Sequence, residues 1–118
     1  MKYMLLIYVD EAAFAKAPKD QIEKVTGAYA AWTEEMRKAG VFAAADRLQP
    51  SATASTVRSQ AGGKSRVLDG PYAEVKEQLG GFYILEVADK KAALDWAAKC
   101  PSIAAGHGSV EVRPVWAM

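Results

Sequence analysis

The chain opens on Tyr3-Met4-Leu5-Leu6-Ile7-Tyr8-Val9, a run that is apolar at every position rather than at every second one. Strict alternation marks a strand with one wet face, whereas an unbroken run of this length marks a strand covered on both. After a polar, proline-containing stretch, Ile22, Val25, Tyr29, Trp32 and Met36 recur at spacings of three and four. That spacing draws one apolar stripe along a helix. Charged residues fill most of its other faces, and Asp20/Lys24 and Glu34/Lys38 have the favourable i,i+4 order, so the charge run reads as a solvated face. Gly40 stands where a helix-terminating glycine belongs.

Val41–Leu48 resumes as a strand and ends before Pro50. Thr53–Ser59 and Lys64–Asp69 flank Gln60-Ala61-Gly62-Gly63, which predicts a hairpin. Asp69-Gly70-Pro71-Tyr72 closes its second arm with strong turn chemistry. Phe82–Val87 is a second strand apolar on both faces. Asp89 caps a helix carrying Ala93, Trp96, Ala97 and Cys100, with Pro101 as its stop. In the last strand Val110 and Val112 alternate with Glu111 and Arg113, and Pro114 marks it as an edge.

The order is β-α-β, an inserted β-hairpin, then β-α-β. With right-handed crossovers this predicts an α+β class: the four-stranded antiparallel sheet of the ferredoxin-like βαββαβ fold. The two doubly apolar strands fall at its centre. Two helices cover only one face of such a sheet, which leaves an apolar face open. A second copy, sheet against sheet, covers it, so the pattern predicts a homodimer.

Composition narrows the picture. The 118 residues suit one domain (1–118), with 51% hydrophobic and 25% charged residues, which excludes disorder. A net charge of +1 removes the electrostatic case for nucleic acid or an anionic membrane as partner. Cys100 and His107 are the single cysteine and histidine, so neither an intrachain disulfide nor a zinc site of four cysteine and histidine ligands is available. No metal and no cofactor is expected, and the reducing cytoplasm is the expected location. Lys2 and the run after it loosely mimic a signal peptide, but Asp10 and Glu11 follow at once, which favours a strand.

Candidate chemistry gathers at two places. Asp69, held by a Gly-Pro turn, is a candidate general base for an acidic C–H or O–H proton. The competing reading is a turn aspartate whose side chain bonds backbone amides two residues on. Tyr72, Glu74 and Lys76 follow as candidate substrate contacts. Glu111 and Arg113, two apart on a strand, project from one face, and Arg113 can clamp an anionic group bidentately. Its competing role is an ion pair with an acidic side chain of residues 69–77. His107, between two glycines, reads as an exposed loop residue rather than a haem ligand. Gly63-Lys64-Ser65 fails as a phosphate loop because Arg58 stands where the first glycine is needed. Tyr8, Tyr29, Trp32, Phe42, Tyr72, Phe82, Tyr83 and Trp96 can line a pocket or fill the core, and most are expected in the core.

Asp69-Gly70-Pro71-Tyr72, Ala73-Glu74-Val75-Lys76-Glu77, Gly80-Gly81-Phe82-Tyr83 and Glu111-Val112-Arg113-Pro114-Val115 together resemble the DGPF-domain branch of the YCII-related family, with Tyr72 where phenylalanine is usual. The resemblance implies a dimeric α+β barrel and often accompanies extracytoplasmic-function sigma factors. Barrels of this kind include lyases, isomerases and monooxygenases of cyclic or aromatic compounds. The family's proposed His–Asp pair is half present: the first helix, through Tyr29-Ala30-Ala31-Trp32, has no histidine, while Asp69 matches the aspartate. Two readings follow. One is a cofactor-free dimer that binds or converts a small anionic or aromatic molecule by carboxylate-based proton transfer. The other is a non-catalytic regulatory module whose function lies on a protein-facing surface.

Overall fold

A computed structural model describes residues 1–117. Six strands and four helices follow in the order β1 (Lys2–Val9), α1 (Glu11–Ala15), α2 (Lys19–Lys38), β2 (Phe42–Arg47), β3 (Ser55–Gln60), β4 (Lys64–Asp69), β5 (Gln78–Glu86), α3 (Lys90–Ala98), α4 (Pro101–Ala104) and β6 (Ser109–Pro114). β1, β2, β5 and β6 form one antiparallel sheet in the order β2-β5-β1-β6, and β3 pairs with β4 alone. This is the expected ferredoxin-like arrangement. β1 and β5, the two strands with apolar residues on both faces, lie at its centre.

The register sorts the side chains by face. Leu5 opposes Tyr83 and Val112, while Tyr3 opposes Leu85, and these point toward the helices. Tyr3, Leu5, Ile7 and Leu85 are buried there with Trp32 and Met36 of α2, Ala93 and Ala97 of α3, and Cys100. Full burial of Leu5, Met36 or Leu85 stabilises by about 1.5–3 kcal/mol each. The opposite face carries Met4, Leu6 and Tyr8 of β1 beside Phe82 and Ile84 of β5. All five are only half-buried. The molecule is 18 Å thick along its shortest axis, the depth of one helix layer on one sheet.

Boundaries differ from the sequence pattern in three places. β3 starts two residues late because Ser51–Thr53 close a short 3₁₀ turn after Pro50. β5 starts four residues early, running through Gly80 and Gly81. A glycine doublet reads as a break, but a Cβ at Gly81 would lie 2.9 Å from the Asp46 carbonyl oxygen of β2. The strand needs glycine for close approach rather than for a turn. Finally, α3 ends at Ala98, so Cys100 lies past it and precedes α4, whose first residue is Pro101. Asp89 caps α3 as expected, accepting from the Ala92 amide at 2.9 Å. No described helix is long and apolar enough to cross a membrane.

A polar seam runs through the helix side of the core. The Tyr29 hydroxyl lies 2.5 Å from Ser102 Oγ and 3.4 Å from Cys100 Sγ, joining α2 to α4. The Tyr83 hydroxyl meets Thr33 Oγ1 at 2.6 Å. Trp32 packs between these rings, 6.0 Å from Tyr29 and 4.7 Å from Tyr83. Its Nε1 is buried without a partner, a cost of about 1–3 kcal/mol. Burial raises the pKa of Tyr29, helped by its bond to Cys100, and burial likewise raises that of Tyr83. Above about pH 10 the unfolded chain therefore sheds these phenol protons while the folded chain keeps them. Stability contributed by both groups is intact below pH 10 and declines above it. Urea midpoints across pH 8–11.5 are expected to fall, and less steeply in Tyr29→Phe; an equal fall in both proteins would contradict this.

Candidate active site

The 69–78 segment is built against the rest of the chain from its two ends. At the hairpin base, the Gly70 amide donates to the Ala54 carbonyl at 2.7 Å, and Thr56 Oγ1 donates to the Gly70 carbonyl at 2.8 Å. Gly70 has φ 102°, a conformation other residues adopt only under strain. The Asp69 carboxylate accepts none of the hydrogen bonds that hold this turn. The turn-aspartate reading is therefore not realised: Pro71, two residues on, has no N–H to donate, backbone and Thr56 hold the turn, and Asp69 is exposed at the end of β4, opposite Ser55.

At the other end a carboxylate that sequence reasoning passed over becomes the organiser. Glu11 accepts from the Ser51 amide at 2.8 Å and from Ser51 Oγ at 2.7 Å, while its own amide donates to Gln78 Oε1 at 3.1 Å. Gln78 Nε2 in turn donates to the Val75 carbonyl at 2.5 Å. Asp10 sets this up by capping α1, accepting from the Ala13 amide at 3.1 Å. The Asp10-Glu11 pair was the available signal, since two acids directly after a buried strand mark a capped turn.

Between these anchors, Ser51 and Ala52 on one side and Pro71, Glu74, Val75 and Gln78 on the other enclose an open hollow of about 330 Å³. Glu74 is the acidic group on its wall. Tyr72 turns away, 76% exposed, with the Arg58 guanidinium 5.4 Å from its ring centre. Lys76 is exposed and Glu77 accepts from Ser109 Oγ at 2.9 Å, which ties the segment to the start of β6.

Arg113 lies elsewhere. It and Glu111 project from β6 on the open sheet face, opposite Met4 and Leu6, and pair with each other, with Arg113 Nε 2.6 Å from Glu111 Oε2. The ion pair between Arg113 and the 69–77 segment does not form, because the i,i+2 neighbour on its own strand is nearer. No hydrogen bond or ion pair among the described residues links Arg113 to Asp69, Glu74 or Lys76. Of the aromatic residues, Tyr29, Trp32, Phe42 and Tyr83 pack into the core, while Tyr8 and Phe82 stay on the open face. His107 is exposed in its loop. No group of three metal-ligating side chains converges among the described residues.

The whole chain, residues 1–118, matches the YCII-related domain. The chain belongs to the YCII-related family. An uncharacterised protein of Rhizobium meliloti (strain 1021) is 38% identical over 115 residues, covering 98% of this chain and 92% of that one. Among solved structures, this YCII-related chain is similar to a 5-chloro-2-hydroxyhydroquinone dehydrochlorinase from Burkholderia phenoliruptrix AC1100, in complex with 2,5-dihydroxybenzoquinone. That match has a TM-score of 0.54 at 15% identity and covers 100% of this chain and 96% of the other. At that identity the likeness establishes a shared fold.

The Glu11 anchor makes a local prediction. Glu11→Ala removes two hydrogen bonds from Ser51, each worth about 1.5–3 kcal/mol when one partner is charged. Amide exchange at Ser51 and Gln78 should accelerate at least tenfold while Leu5 and Leu85 are unchanged. Unaltered exchange at Ser51 would show that the hollow does not depend on this carboxylate.

Proposed function

We propose that this chain forms a homodimer that binds a small anionic or aromatic molecule and converts it by carboxylate-based proton transfer. The observation that supports the reading is the hollow of about 330 Å³ that Pro71, Glu74, Val75 and Gln78 wall with Ser51 and Ala52, the low end of ligand-pocket sizes. Asp69 is the base, its carboxylate left free by the turn it ends. Glu74, Lys76 and Tyr72 contact the substrate. Arg113 exchanges Glu111 for an anionic group of the ligand, a bidentate contact that also balances charge developing on an enolate. Since no contact joins Arg113 to Asp69 within one chain, the ligand spans the hairpin base and the open sheet face. That face, apolar through Met4, Leu6, Phe82 and Ile84, is covered by the second copy.

A carboxylate with a cationic partner can remove a proton from carbon or oxygen beside an electron-withdrawing ring or carbonyl without a cofactor. The dehydrochlorinase that shares the fold holds a dihydroxybenzoquinone, which makes hydroxylated rings the first class to test.

Thermal unfolding against a panel of hydroxyquinones, phenols and small carboxylates tests the reading. A ligand at a hundred times its dissociation constant stabilises by about 2.7 kcal/mol. For a domain of this size the midpoint then rises by roughly ten degrees. Arg113→Ala should abolish the shift, whereas Asp69→Asn should keep binding and lose turnover. Turnover surviving in Asp69→Asn removes the base assignment, and a panel without any hit removes the small-molecule reading for these classes.

A further inference from the structure

One carboxylate of the 69–78 segment reaches the open face of the sheet. Glu77 Oε1 accepts from Ser109 Oγ at 2.9 Å. Ser109, Glu111 and Arg113 alternate along β6 and therefore share a face. The register sets Ser109 beside Tyr8, Glu111 beside Leu6 and Arg113 beside Met4. Glu77 directly precedes β5, on the other side of β1, so its side chain passes the end of β1 to meet Ser109.

Two local features hold this end of the face. Gly108 lies against the Tyr8 carbonyl oxygen with no room for a Cβ, which seats Ser109 next to Tyr8. A bulge in the β1–β5 pairing skips Gly80, so that Leu79 opposes Tyr8. Tyr8 is half-buried. The hydroxyls of Tyr29 and Tyr83 are bonded to other side chains, whereas that of Tyr8 has no protein partner among the described residues. Glu77 is in no ion pair among them.

Three rows therefore succeed one another on the β6 side of the open face. A phenol and a carboxylate stand at the loop end, Leu6 in the middle and Arg113 at the far end. The outer rows are about 13 Å apart along the strand. Arg113 already leans inward to Glu111, and one benzene-sized ring lying over Leu6 spans what remains.

We propose that Glu77 and Tyr8 determine specificity by recognising a hydroxyl on that ring. Glu77 accepts a hydrogen bond from the hydroxyl and Tyr8 donates one to its oxygen, while Arg113 takes an anionic group across the ring. A carboxylate has acceptor sites for Ser109 and a ligand together, so Ser109 aims Glu77 and stays in place. This rests on the small-molecule reading above and narrows its ligand to a hydroxylated aromatic acid.

Calorimetric titration with para-hydroxybenzoate and with benzoate reads the share of the hydroxyl as a ratio of affinities, which a general loss of packing leaves unmoved. Wild type should prefer para-hydroxybenzoate by about tenfold or more, the weight of one hydrogen bond to a charged group. The preference should vanish in Glu77→Ala and Glu77→Gln and shrink in Tyr8→Phe, whereas Arg113→Ala should weaken both ligands by the same factor. A wild-type preference retained in both Glu77 variants, or no preference in the wild type, overturns the hydroxyl contact and leaves the small-molecule reading standing. A wild type that binds neither benzoate, while a phenol or hydroxyquinone of the panel raises the midpoint, overturns the aromatic-acid ligand alone. A wild type that binds neither, nor any member of that panel, overturns both.

Discussion

The rest of the structure depends on the burial of two central strands that are apolar on both sides. β1 and β5 lie side by side, and the helices take one face of each. Leu5 and Leu85 point one way and are lost to solvent; Leu6 and Ile84 point the other way and remain half exposed. A strand cannot turn its second set of side chains inward, because a one-residue slip only exchanges the faces. The chain therefore leaves Met4, Leu6, Tyr8, Phe82 and Ile84 half exposed on the face away from the helices. Everything proposed about function lies at the margins of that surface.

Those margins carry the polar chemistry. Glu111 and Arg113 flank the open face on the β6 edge, and the 69–78 segment borders it at the loop end, where Glu77 reaches Ser109. Glu11 fixes that end by holding Ser51 and Gln78 with one residue. The proposed function draws on the apolar face, the Arg113 cation and the loop carboxylates, which no hydrogen bond or ion pair joins within one chain. Such a set would suit a small ring bearing an anionic substituent better than a long polymer, which the near-neutral charge also disfavours.

The fold was legible because its strongest signal, the apolar runs at 3–9 and 82–85, is a consequence of strand position and survives without knowledge of tertiary contacts. The helical stripe from Ile22 to Met36 was legible for the same reason, since its spacing is set by helix geometry. Strand ends were less so. Gly80 and Gly81 look like a break and instead accommodate close neighbours, Val9 of β1 at Gly80 and the β2 backbone at Gly81, which a linear reading cannot see. The pairings of the candidate site residues were not legible. Arg113 found Glu111 rather than the 69–77 segment because pairing depends on distances between elements distant in sequence. For Glu11, which holds Ser51 and Gln78, the Asp10-Glu11 pair signalled a capped turn but not these distant partners.

The central claim is that the open face of the sheet is covered by a second copy of the chain. Sedimentation equilibrium at micromolar concentration, on the wild type and on Leu6→Lys, tests it most directly. The account predicts twice the chain mass of 12.7 kDa for the wild type and a single-chain mass for Leu6→Lys, with the fold of both intact by circular dichroism. A wild type that sediments as one chain, or a Leu6→Lys variant that still sediments as two, would contradict it.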